Sequence, residues 1–250
     1  MSVALQTFDL SKRFGGIVAT DHVDFTLQRG ARHALIGPNG AGKTTFVNQL
    51  TGVLKPSSGR IELMGRDITG ISREARVKRG LARTFQINQL FATMTPLEMI
   101  ALVTSERLGR GAHPFSALDR DTELVAETAE ILARFRLDDI MDRTIATLPY
   151  GKQRQIEIAA AFAAKPSVLL LDEPAAGVPE AERRELMDMV ASLPEDVSVL
   201  LIEHDMDLVF RFATRITVLV NGRVLAEGAP DEMARDPAVR SAYLGEAAHV

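Results

Sequence analysis

The fold is decided by residues 34–47, which read ALIGPNGAGKTTFV. In this stretch Gly37 is followed by four free positions and then by Gly-Lys-Thr at 42–44, which is the spacing of a nucleotide phosphate-binding loop. The apolar residues 34–36 predict a buried strand before the loop, and residues 44–51 predict a helix that begins where the loop ends. A motif with this strand before it and this helix after it predicts a nucleotide site rather than an accidental glycine-rich turn.

The chemistry of the loop suits a triphosphate. Glycines let the backbone curl so that successive N–H groups point at phosphate oxygens, and the positive end of the following helix points at the same anion. Lys43 adds a cation for the β- and γ-phosphates, and Thr44 adds a hydroxyl ligand for Mg²⁺. We therefore expect a nucleotide and Mg²⁺ to bind together here.

Composition excludes several classes of protein. The 250 residues, 46% of them hydrophobic, can bury one large domain or a domain with a subdomain. No apolar run approaches the roughly 18–20 residues that span a bilayer, and the first residues lack the pattern of a secretory signal. The absence of cysteine excludes disulfides, and the formal charge of −4 argues against broad nucleic-acid binding. We expect a soluble cytoplasmic protein that reaches a membrane only through a protein partner.

Two kinds of sheet are predicted. Residues 23–27 alternate apolar and polar, which indicates a half-buried strand in an antiparallel sheet over the first thirty residues, joined by a strand at 60–64. The apolar runs 168–171 and 198–202 are typical of parallel strands covered on both faces, and a helix over 179–192 connects them. A hairpin then follows, in which residues 216–220 and 223–227 flank Asn-Gly, a strong hairpin signal.

Residues from about 93 to 148 are predicted to be helical. Thr95, Pro96 and Glu98 form a helix start, with Thr as N-cap and Glu closing a capping box. A loop is expected at 109–118. After this loop, Leu124, Thr128, Ile131 and Phe135 lie on one face of a predicted helix. Outside this region, short helices are also expected at 230–245. A helical insertion in an α/β chain predicts a helical subdomain.

Two acids and a histidine stand at the ends of the predicted parallel strands. Asp172 is placed to hold Mg²⁺, directly or through water, and Glu173 to orient or deprotonate an attacking water. His204 ends the next strand, and the carboxyl ends of parallel strands converge on the ligand crevice. An acidic strand end and a lone histidine are often only structural, so here the neighbouring phosphate loop favours the functional interpretation.

Other positions admit two interpretations on sequence grounds. Phe14 precedes a glycine pair, where an aromatic ring could stack on a base or simply fill an apolar strand position. Gln86 stands where sheet gives way to helix, so it could touch Mg²⁺ or be a solvated loop residue. Residues 148–153 lead into an alanine-rich helix, and the backbone N–H groups at its start suit a second phosphate. Since the chain already has a phosphate loop, this second anion site suggests the nucleotide of another molecule.

Together these motifs resemble the ATP-binding subunits of ABC transporters. The resemblance places Phe14 as the adenine-stacking aromatic, Asp172 and Glu173 at Walker B, Gln86 at the Q-loop and His204 at the switch histidine. It implies nucleotide contacts from Gly37, Pro38, Asn39, Gly40, Ala41, Gly42, Lys43, Thr44 and Thr45, catalysis by Lys43, Gln86, Glu173 and His204, and Mg²⁺ binding by Thr44, Gln86 and Asp172. It implies a signature at Pro149, Tyr150, Gly151, Lys152 and Gln153, which caps the ATP of a partner subunit.

The resemblance also implies a fold and a function. The expected fold is α/β: a P-loop NTPase (RecA-like) core, an antiparallel β subdomain (1–32 and about 58–66) and an α-helical subdomain (about 92–150) in one domain, 1–250. Several stretches, among them Arg83-Thr84-Phe85-Gln86, are similar to the LivG-type subunits of branched-chain (hydrophobic) amino acid importers. Such a subunit hydrolyses ATP with Mg²⁺ on the cytoplasmic side of the inner membrane as a peripheral protein.

The expected partners follow from the same resemblance. They are two permeases docked through the helical subdomain, a second ABC ATPase subunit and, indirectly, a periplasmic solute-binding protein, with no nucleic acid. The dimer would be a heterodimer, or a homodimer in isolation. Urea, an amide or an aromatic acid is an alternative solute.

Two departures from the family pattern affect the partner-facing surface. Pro149 replaces a usual serine in the signature, which removes a hydroxyl and a backbone N–H, and Tyr150 replaces a usual glycine. Residues 175–179 are one residue shorter than the family's D-loop. We therefore expect two unequal ATP sites in a heterodimer, because loss of one transition-state donor can slow a reaction by about 10²–10³.

Three rival functions are less favoured. An ABC ATPase acting on nucleic acid or ribosomes usually has two fused ATPase units or a long coiled-coil insertion, and this sequence has neither. A module that binds ATP with weak or no hydrolysis is opposed by Asp172, Glu173 and His204, although Pro149 favours it. A small-molecule kinase would need features beyond the phosphate loop.

Overall fold

The computed structural model describes residues 2–84, 91–110 and 121–244, and its chain forms two compact units. The first unit comprises Met1–Arg83, Ser167–Glu173 and Ala191–Val250. The second comprises Thr84–Pro166 and Pro174–Val190. No helix within the described ranges is long and apolar enough to cross a membrane.

The strands of the described chain belong to the first unit. Its strands are β1 (Val3–Phe14), β2 (Ile17–Gln28), β3 (Arg32–Ile36), β4 (Ser58–Leu63), β5 (Arg66–Asp67), β6 (Leu81–Arg83), β7 (Val168–Asp172), β8 (Ser198–Ile202), β9 (Arg215–Val220) and β10 (Arg223–Gly228). Its helices are α1 (Lys43–Thr51), α2 (Arg73–Lys78), α7 (Met206–Phe212), α8 (Pro230–Arg235) and α9 (Pro237–Leu244).

A four-stranded antiparallel sheet has the order β2-β1-β4-β5. Its inward-facing residues are apolar at alternate positions, as the sequence periodicity predicts: Val23, Phe25 and Leu27 are each at most 2% exposed. They pack in one core with Phe46 of α1. The strand predicted at 60–64 is observed as Ser58–Leu63.

A six-stranded sheet has the order β10-β9-β3-β8-β7-β6, and every pair in it is parallel except β9–β10. Strands β7 and β8 are buried along their whole length, which explains their continuous apolar sequence. The predicted hairpin is present, and its turn residues Asn221 and Gly222 have φ of 50° and 77°, as a type I′ turn requires. The sequence patterns do not predict strands β5 and β6 or helices α2 and α7.

The far end of α1 is held by a buried arginine. Arg76 is 2% exposed, and its Nη1 donates to the carbonyls of Gln49 and Leu50 at 2.7 and 2.6 Å. Its Nη2 donates to the carbonyl of Thr69 at 3.0 Å. Because the last carbonyls of a helix have no partner within it, Arg76 satisfies groups that burial would otherwise make costly.

The second unit is helical within its described residues. It contains α3 (Pro96–Arg107), α4 (Thr122–Arg134), α5 (Tyr150–Ala163), nearly all of α6 (Glu180–Ala191) and two short 3₁₀ helices at Asp138–Ile140 and Ile145–Thr147. Helix α3 begins at the predicted capping box, in which Thr95 Oγ1 accepts from the Glu98 N–H and the Glu98 carboxylate accepts from the Thr95 N–H. Most of the loop predicted at 109–118 lies outside the described residues.

One face of α4 is buried as its spacing predicts. Leu124, Thr128 and Ile131 are each at most 4% exposed, and Phe135, which follows the helix, is fully buried. Helix α6 matches the helix predicted at 179–192 to within one residue at each end. The observed short helices after β10 likewise agree with the expectation for 230–245 up to Leu244.

Candidate functional site

The predicted phosphate loop joins β3 to α1 and lies against two other strands. Gly37 and Gly42 have φ of 154° and 100°, a region that residues with a side chain rarely adopt. A Cβ on Gly37 would lie 2.1 Å from the carbonyl oxygen of Leu219, and one on Gly42 would lie 2.2 Å from that of Ala19. These two glycines are therefore required by close backbone packing as well as by the curl of the loop.

Lys43 is the first residue of α1, and its side chain turns back over the loop. Its ammonium donates to the carbonyl oxygens of Gly37 and Pro38, at 2.5 and 3.0 Å. These contacts keep the cation at the mouth of the loop, where the backbone N–H groups and the helix N-terminus also favour an anion. The arrangement suits a phosphate whose oxygens would take the place of the loop carbonyls.

The β9–β10 turn contacts the loop from the other side. Gly222 donates its N–H to the carbonyl of Ala41 at 2.9 Å and accepts from the Asp21 N–H at 2.8 Å. Sequence reasoning found this hairpin but gave it no role, because an Asn-Gly turn signals its own shape and not the segment on which it packs. The hairpin and β2 thus hold the phosphate loop between them.

Asp172 is the last residue of β7, and Glu173 follows it with a φ of 46°. Asp172 is 7% exposed and accepts a hydrogen bond at Oδ2 from Arg83 Nη2 at 2.6 Å. The Glu173 N–H donates to the carbonyl of Ile202 at 2.9 Å, so pairing with β8 continues one residue beyond the strand. The left-handed φ at Glu173 is a strained conformation for a residue with a side chain, of the kind found at functional sites.

His204 lies beside Glu173. Its Nδ1 is 3.9 Å from Glu173 Oε1 and 3.8 Å from Glu203 Oε2, and its side chain is 69% exposed. Helix α7 begins two residues later, with Asp205 as an N-cap whose Oδ1 accepts from the Asp207 and Leu208 N–H groups. His204 is therefore held between a buried strand and a capped helix while its ring faces solvent.

One edge of the six-stranded sheet collects these groups. Strands β3, β8 and β7 are parallel neighbours, so their carboxyl ends lie side by side. The phosphate loop follows β3, His204 follows β8, and Glu173 follows β7. The structure thus brings the phosphate loop together with two groups that lie more than 100 residues after it in the sequence.

Phe14 lies at the exposed tip of the β1–β2 hairpin. The ring is 46% exposed, and Lys12 Nζ is 5.2 Å from its centroid. The hairpin is tied to α1 by buried side chains: Thr20 Oγ1 donates to Gln49 Oε1 at 2.9 Å, and Gln49 Nε2 donates to the Ser11 carbonyl at 3.3 Å. An exposed aromatic ring on a hairpin fixed to the phosphate-loop helix can stack on a base.

The oxygen donors at this edge fit Mg²⁺. The ion prefers hard oxygen ligands and needs only one or two carboxylates when substrate phosphates complete its shell. The Asp172 carboxylate and the Thr44 hydroxyl are ligands of that kind. Gln86, the third predicted magnesium ligand, lies outside the described residues.

The predicted signature belongs to the second unit. Pro149 is the N-cap of α5, with φ −55° and ψ 149°, and Tyr150, Gly151, Lys152 and Gln153 form the first turn of the helix. Pro149 supplies no side-chain hydrogen bond to the helix, in keeping with the missing hydroxyl. Separately, Gln153 Nε2 donates to the carbonyl of Leu148, the residue before Pro149, at 2.9 Å.

Comparison with known families agrees with this geometry. The model of the ABC transporter family matches residues 20–176. The chain belongs to the ABC transporter family. A second family model, the branched-chain amino acid ATP-binding cassette transporter, matches residues 223–249.

Curated relatives of this ATP-binding cassette align over nearly its whole length. It is 40% identical over 247 residues to the high-affinity branched-chain amino acid transport ATP-binding protein LivG of Salmonella typhimurium, covering 95% of this chain and 96% of the relative. It is 38% identical over 250 residues to BraF of Pseudomonas aeruginosa, a protein of the same description, covering 97% and 98% of the two chains.

Solved cassettes confirm the expected α/β fold with a P-loop NTPase core. An ATP-binding cassette of an ABC transporter in its ADP conformation superposes with a TM-score of 0.83 at 30% identity, covering 98% of this chain and all of the other. A nucleotide-free cassette gives 0.82 at 30% identity, covering 96% and 98%. The cassette is therefore an ATPase of this family, and it binds nucleotide.

Proposed function

We propose that this cassette is the ATP-binding subunit of an ABC importer for branched-chain or related hydrophobic amino acids. The observation that carries the proposal is the meeting of the phosphate loop, Glu173 and His204 at the ends of three neighbouring strands. The names of the relatives support the solute class. Urea, an amide or an aromatic acid is the alternative solute, and an ATP-binding module with weak hydrolysis is the alternative activity.

The residues have distinct roles in this proposal. Lys43 and the loop N–H groups bind the β- and γ-phosphates, and Phe14 stacks on adenine. Glu173 orients the attacking water and accepts its proton, while His204 contacts the γ-phosphate. The phosphate contacts are those of Gly37, Pro38, Asn39, Gly40, Ala41, Gly42, Thr44 and Thr45 together with Lys43.

Thr44, Asp172 and Gln86 hold the magnesium ion in this proposal. When bound, Mg²⁺ neutralises the charge that develops on the phosphate oxygens. Gln86, which lies outside the described residues, would contact Mg²⁺ directly or through a bound water. Positioning and charge neutralisation supply most of the catalysis in such a site.

Hydrolysis is tested with a carboxylate-to-amide pair of variants in the purified chain. Glu173→Gln keeps the size of the side chain and removes the base, so we expect ATPase activity to fall at least about 100-fold while ATP binding is retained. Glu185→Gln is the control, since Glu185 pairs with Arg136 on an exposed surface. Full ATPase activity in Glu173→Gln would refute the assigned role.

The partners follow from membership in the family, which implies membrane permeases and dimerisation. The finer assignment is two permeases docked through the helical unit, a second ABC ATPase subunit and, indirectly, a periplasmic solute-binding protein. The cassette then lies on the cytoplasmic side of the inner membrane as a peripheral subunit. Co-expression with the permeases and uptake of labelled leucine test the assignment, with urea, an amide and an aromatic acid as competitors.

We further propose that the two ATP sites of a heterodimer are unequal. The signature residues Pro149, Tyr150, Gly151, Lys152 and Gln153 would cap the partner's ATP, and Pro149 offers no hydroxyl and no N–H. That site should therefore hydrolyse more slowly than the site built on Lys43 and Glu173. Replacing the Walker B glutamate of each subunit in turn tests this, because equal loss of ATPase from both variants would contradict it.

A further inference from the structure

Arg83 joins two parts of the proposed nucleotide site, the end of β7 and the helix that follows the phosphate loop. Its side chain is only 10% exposed, and its Nη2 donates to Asp172 Oδ2 at 2.6 Å. Its Nη1 donates to Asn48 Oδ1 at 2.7 Å. One guanidinium therefore connects the end of β7 with α1, the helix that begins at Lys43.

The sheet register explains this connection. Strands β6 and β7 are parallel neighbours in which Arg83 is paired with Leu170. Asp172 lies two residues beyond Leu170, so its side chain points to the same side of the sheet as that of Leu170. Asn48 reaches Arg83 from α1 on that side, five residues after Lys43.

The geometry has a consequence for the carboxylate. A planar guanidinium fixes the direction of each N–H, so the bond to Oδ2 sets the rotation of the Asp172 side chain. The other oxygen, Oδ1, is not used by Arg83 and would be the one available to a metal ion or its bound water. The Asn48 contact fixes the guanidinium in turn, because a long arginine side chain with a single partner would keep more freedom.

We infer that Arg83 is a positioning residue for magnesium binding. It orients the Asp172 carboxylate and, through Asn48, fixes its position relative to the phosphate-loop helix. The inference rests on the proposed function, in which Asp172 binds Mg²⁺. Groups that orient a metal ligand typically change metal affinity by 10–100-fold when they are removed. Arg83 therefore affects Mg²⁺–nucleotide binding more than binding of the nucleotide alone.

The test compares nucleotide affinity with and without the metal. The dissociation constant of a fluorescent ATP analogue is measured for the full chain in Mg²⁺ and in EDTA. The constant in EDTA divided by the constant in Mg²⁺ gives the factor by which the metal strengthens binding. We expect Arg83→Gln to reduce this ratio about tenfold, with metal-free affinity changed less than about twofold. Titration with Mn²⁺, followed by electron paramagnetic resonance, should give the same loss.

Two further variants separate positioning from folding. Arg83→Lys keeps the charge but cannot hold both partners with a rigid fork, so we expect an intermediate ratio. Asn48→Ala removes only the second contact and should lower the ratio by a few-fold. Arg79→Gln is the control, since Arg79 is exposed and its Nη1 donates only a long bond, 3.4 Å, to the Asp67 carbonyl.

The outcomes are distinguishable. The inference is supported if Arg83→Gln loses more affinity in Mg²⁺ than in EDTA while both constants of Arg79→Gln are unchanged. Equal changes in both constants would make Arg83 a purely structural residue and overturn it. If Arg83→Gln does not fold, an unchanged ratio in both Arg83→Lys and Asn48→Ala overturns it instead. Failure of the wild-type chain to bind nucleotide would count against the proposed function itself.

Discussion

The N–H of Gly222 donates to the carbonyl of Ala41 at 2.9 Å, so the β9–β10 turn supports the phosphate loop directly. The two residues are 181 positions apart, and Gly222 has a φ of 77°, which favours glycine in the turn. A Cβ on Gly222 would lie 2.9 Å from the carbonyl oxygen of Ala19. The turn cannot accept a side chain without moving either β2 or the loop.

We predict that Gly222→Ala weakens ATP binding and lowers the free energy of unfolding by about 1–3 kcal/mol, through strain at positive φ and the clash with Ala19. Urea unfolding and nucleotide titration measure both effects. Gly65→Ala is a matched control, because Gly65 has φ 73° and nothing within 4 Å of an added Cβ. Equal nucleotide affinity in the two variants would contradict a role for the turn in the loop.

The buried link between Thr20 and Gln49 gives a second prediction. Both side chains are fully buried, so Thr20→Val removes a donor and leaves Gln49 Oε1 without it. An unsatisfied buried group costs about 1–3 kcal/mol, and we expect the free energy of unfolding to fall by that amount. Urea denaturation measures it.

A double-mutant cycle supplies the control for this link. Gln49→Leu removes the stranded acceptor, so the double variant with Thr20→Val should recover part of the loss. Strictly additive losses would indicate that the hydrogen bond contributes little.

Phe14 gives a third prediction, which separates base from phosphate recognition. Phe14→Ala should weaken ATP binding about tenfold while leaving tripolyphosphate binding unchanged, because stacking on a base contributes about 1–3 kcal/mol. Calorimetric titration with the two ligands measures this. Ile17→Ala is the control, since Ile17 is 70% exposed and is the strand partner of Phe14. A parallel loss for both ligands would exclude stacking.

The fourth prediction concerns pH. His33 is 1% exposed, its Nε2 lies 2.8 Å from Thr217 Oγ1, and burial lowers the pKa of its imidazole to about 4. The folded pKa is below the ordinary value of 6.5, so the unfolded chain takes up a proton first as pH falls. Stability should therefore decrease from pH 6.5 toward 4, with about 1 kcal/mol lost between pH 7.5 and 5.5.

Urea unfolding at the two pH values tests this, with His33→Gln expected to lack that part of the acid loss. His22→Gln is the control. Hydrogen bonding to Asp9 raises the pKa of His22, so this residue loses its contribution as pH rises and cannot account for a loss in acid. An identical pH dependence in His33→Gln and the wild type would refute the assignment.

The elements that were predictable have strong local patterns. The phosphate loop has a fixed spacing, β7 and β8 have continuous apolar runs, and the capping box at Thr95 specifies a helix start without help from distant residues. The ends of parallel strands then predicted which acids and which histidine would meet. Periodicity and motif spacing were therefore sufficient to place these groups at one edge of the sheet.

The supporting contacts were not predictable, because they join residues far apart in sequence. Arg83 and Asp172 are 89 positions apart, and nothing in either segment identifies the partner. Strands β5 and β6 have two and three residues, too few to display a period. The role of Gly222 was not predictable either, because it depends on the distant segment against which the hairpin packs.

Arg76 donates to four carbonyls, those of Gln49, Leu50, Thr69 and Ile71, and these contacts have a consequence for ligand affinity. Since its guanidinium joins the last turn of α1 to the segment before α2, it opposes sliding and unwinding of the helix at that end. Ordering of this helix is completed when the chain folds and does not have to accompany nucleotide capture. A preorganised phosphate loop loses less conformational entropy when it binds an anion, so more of the interaction free energy contributes to affinity.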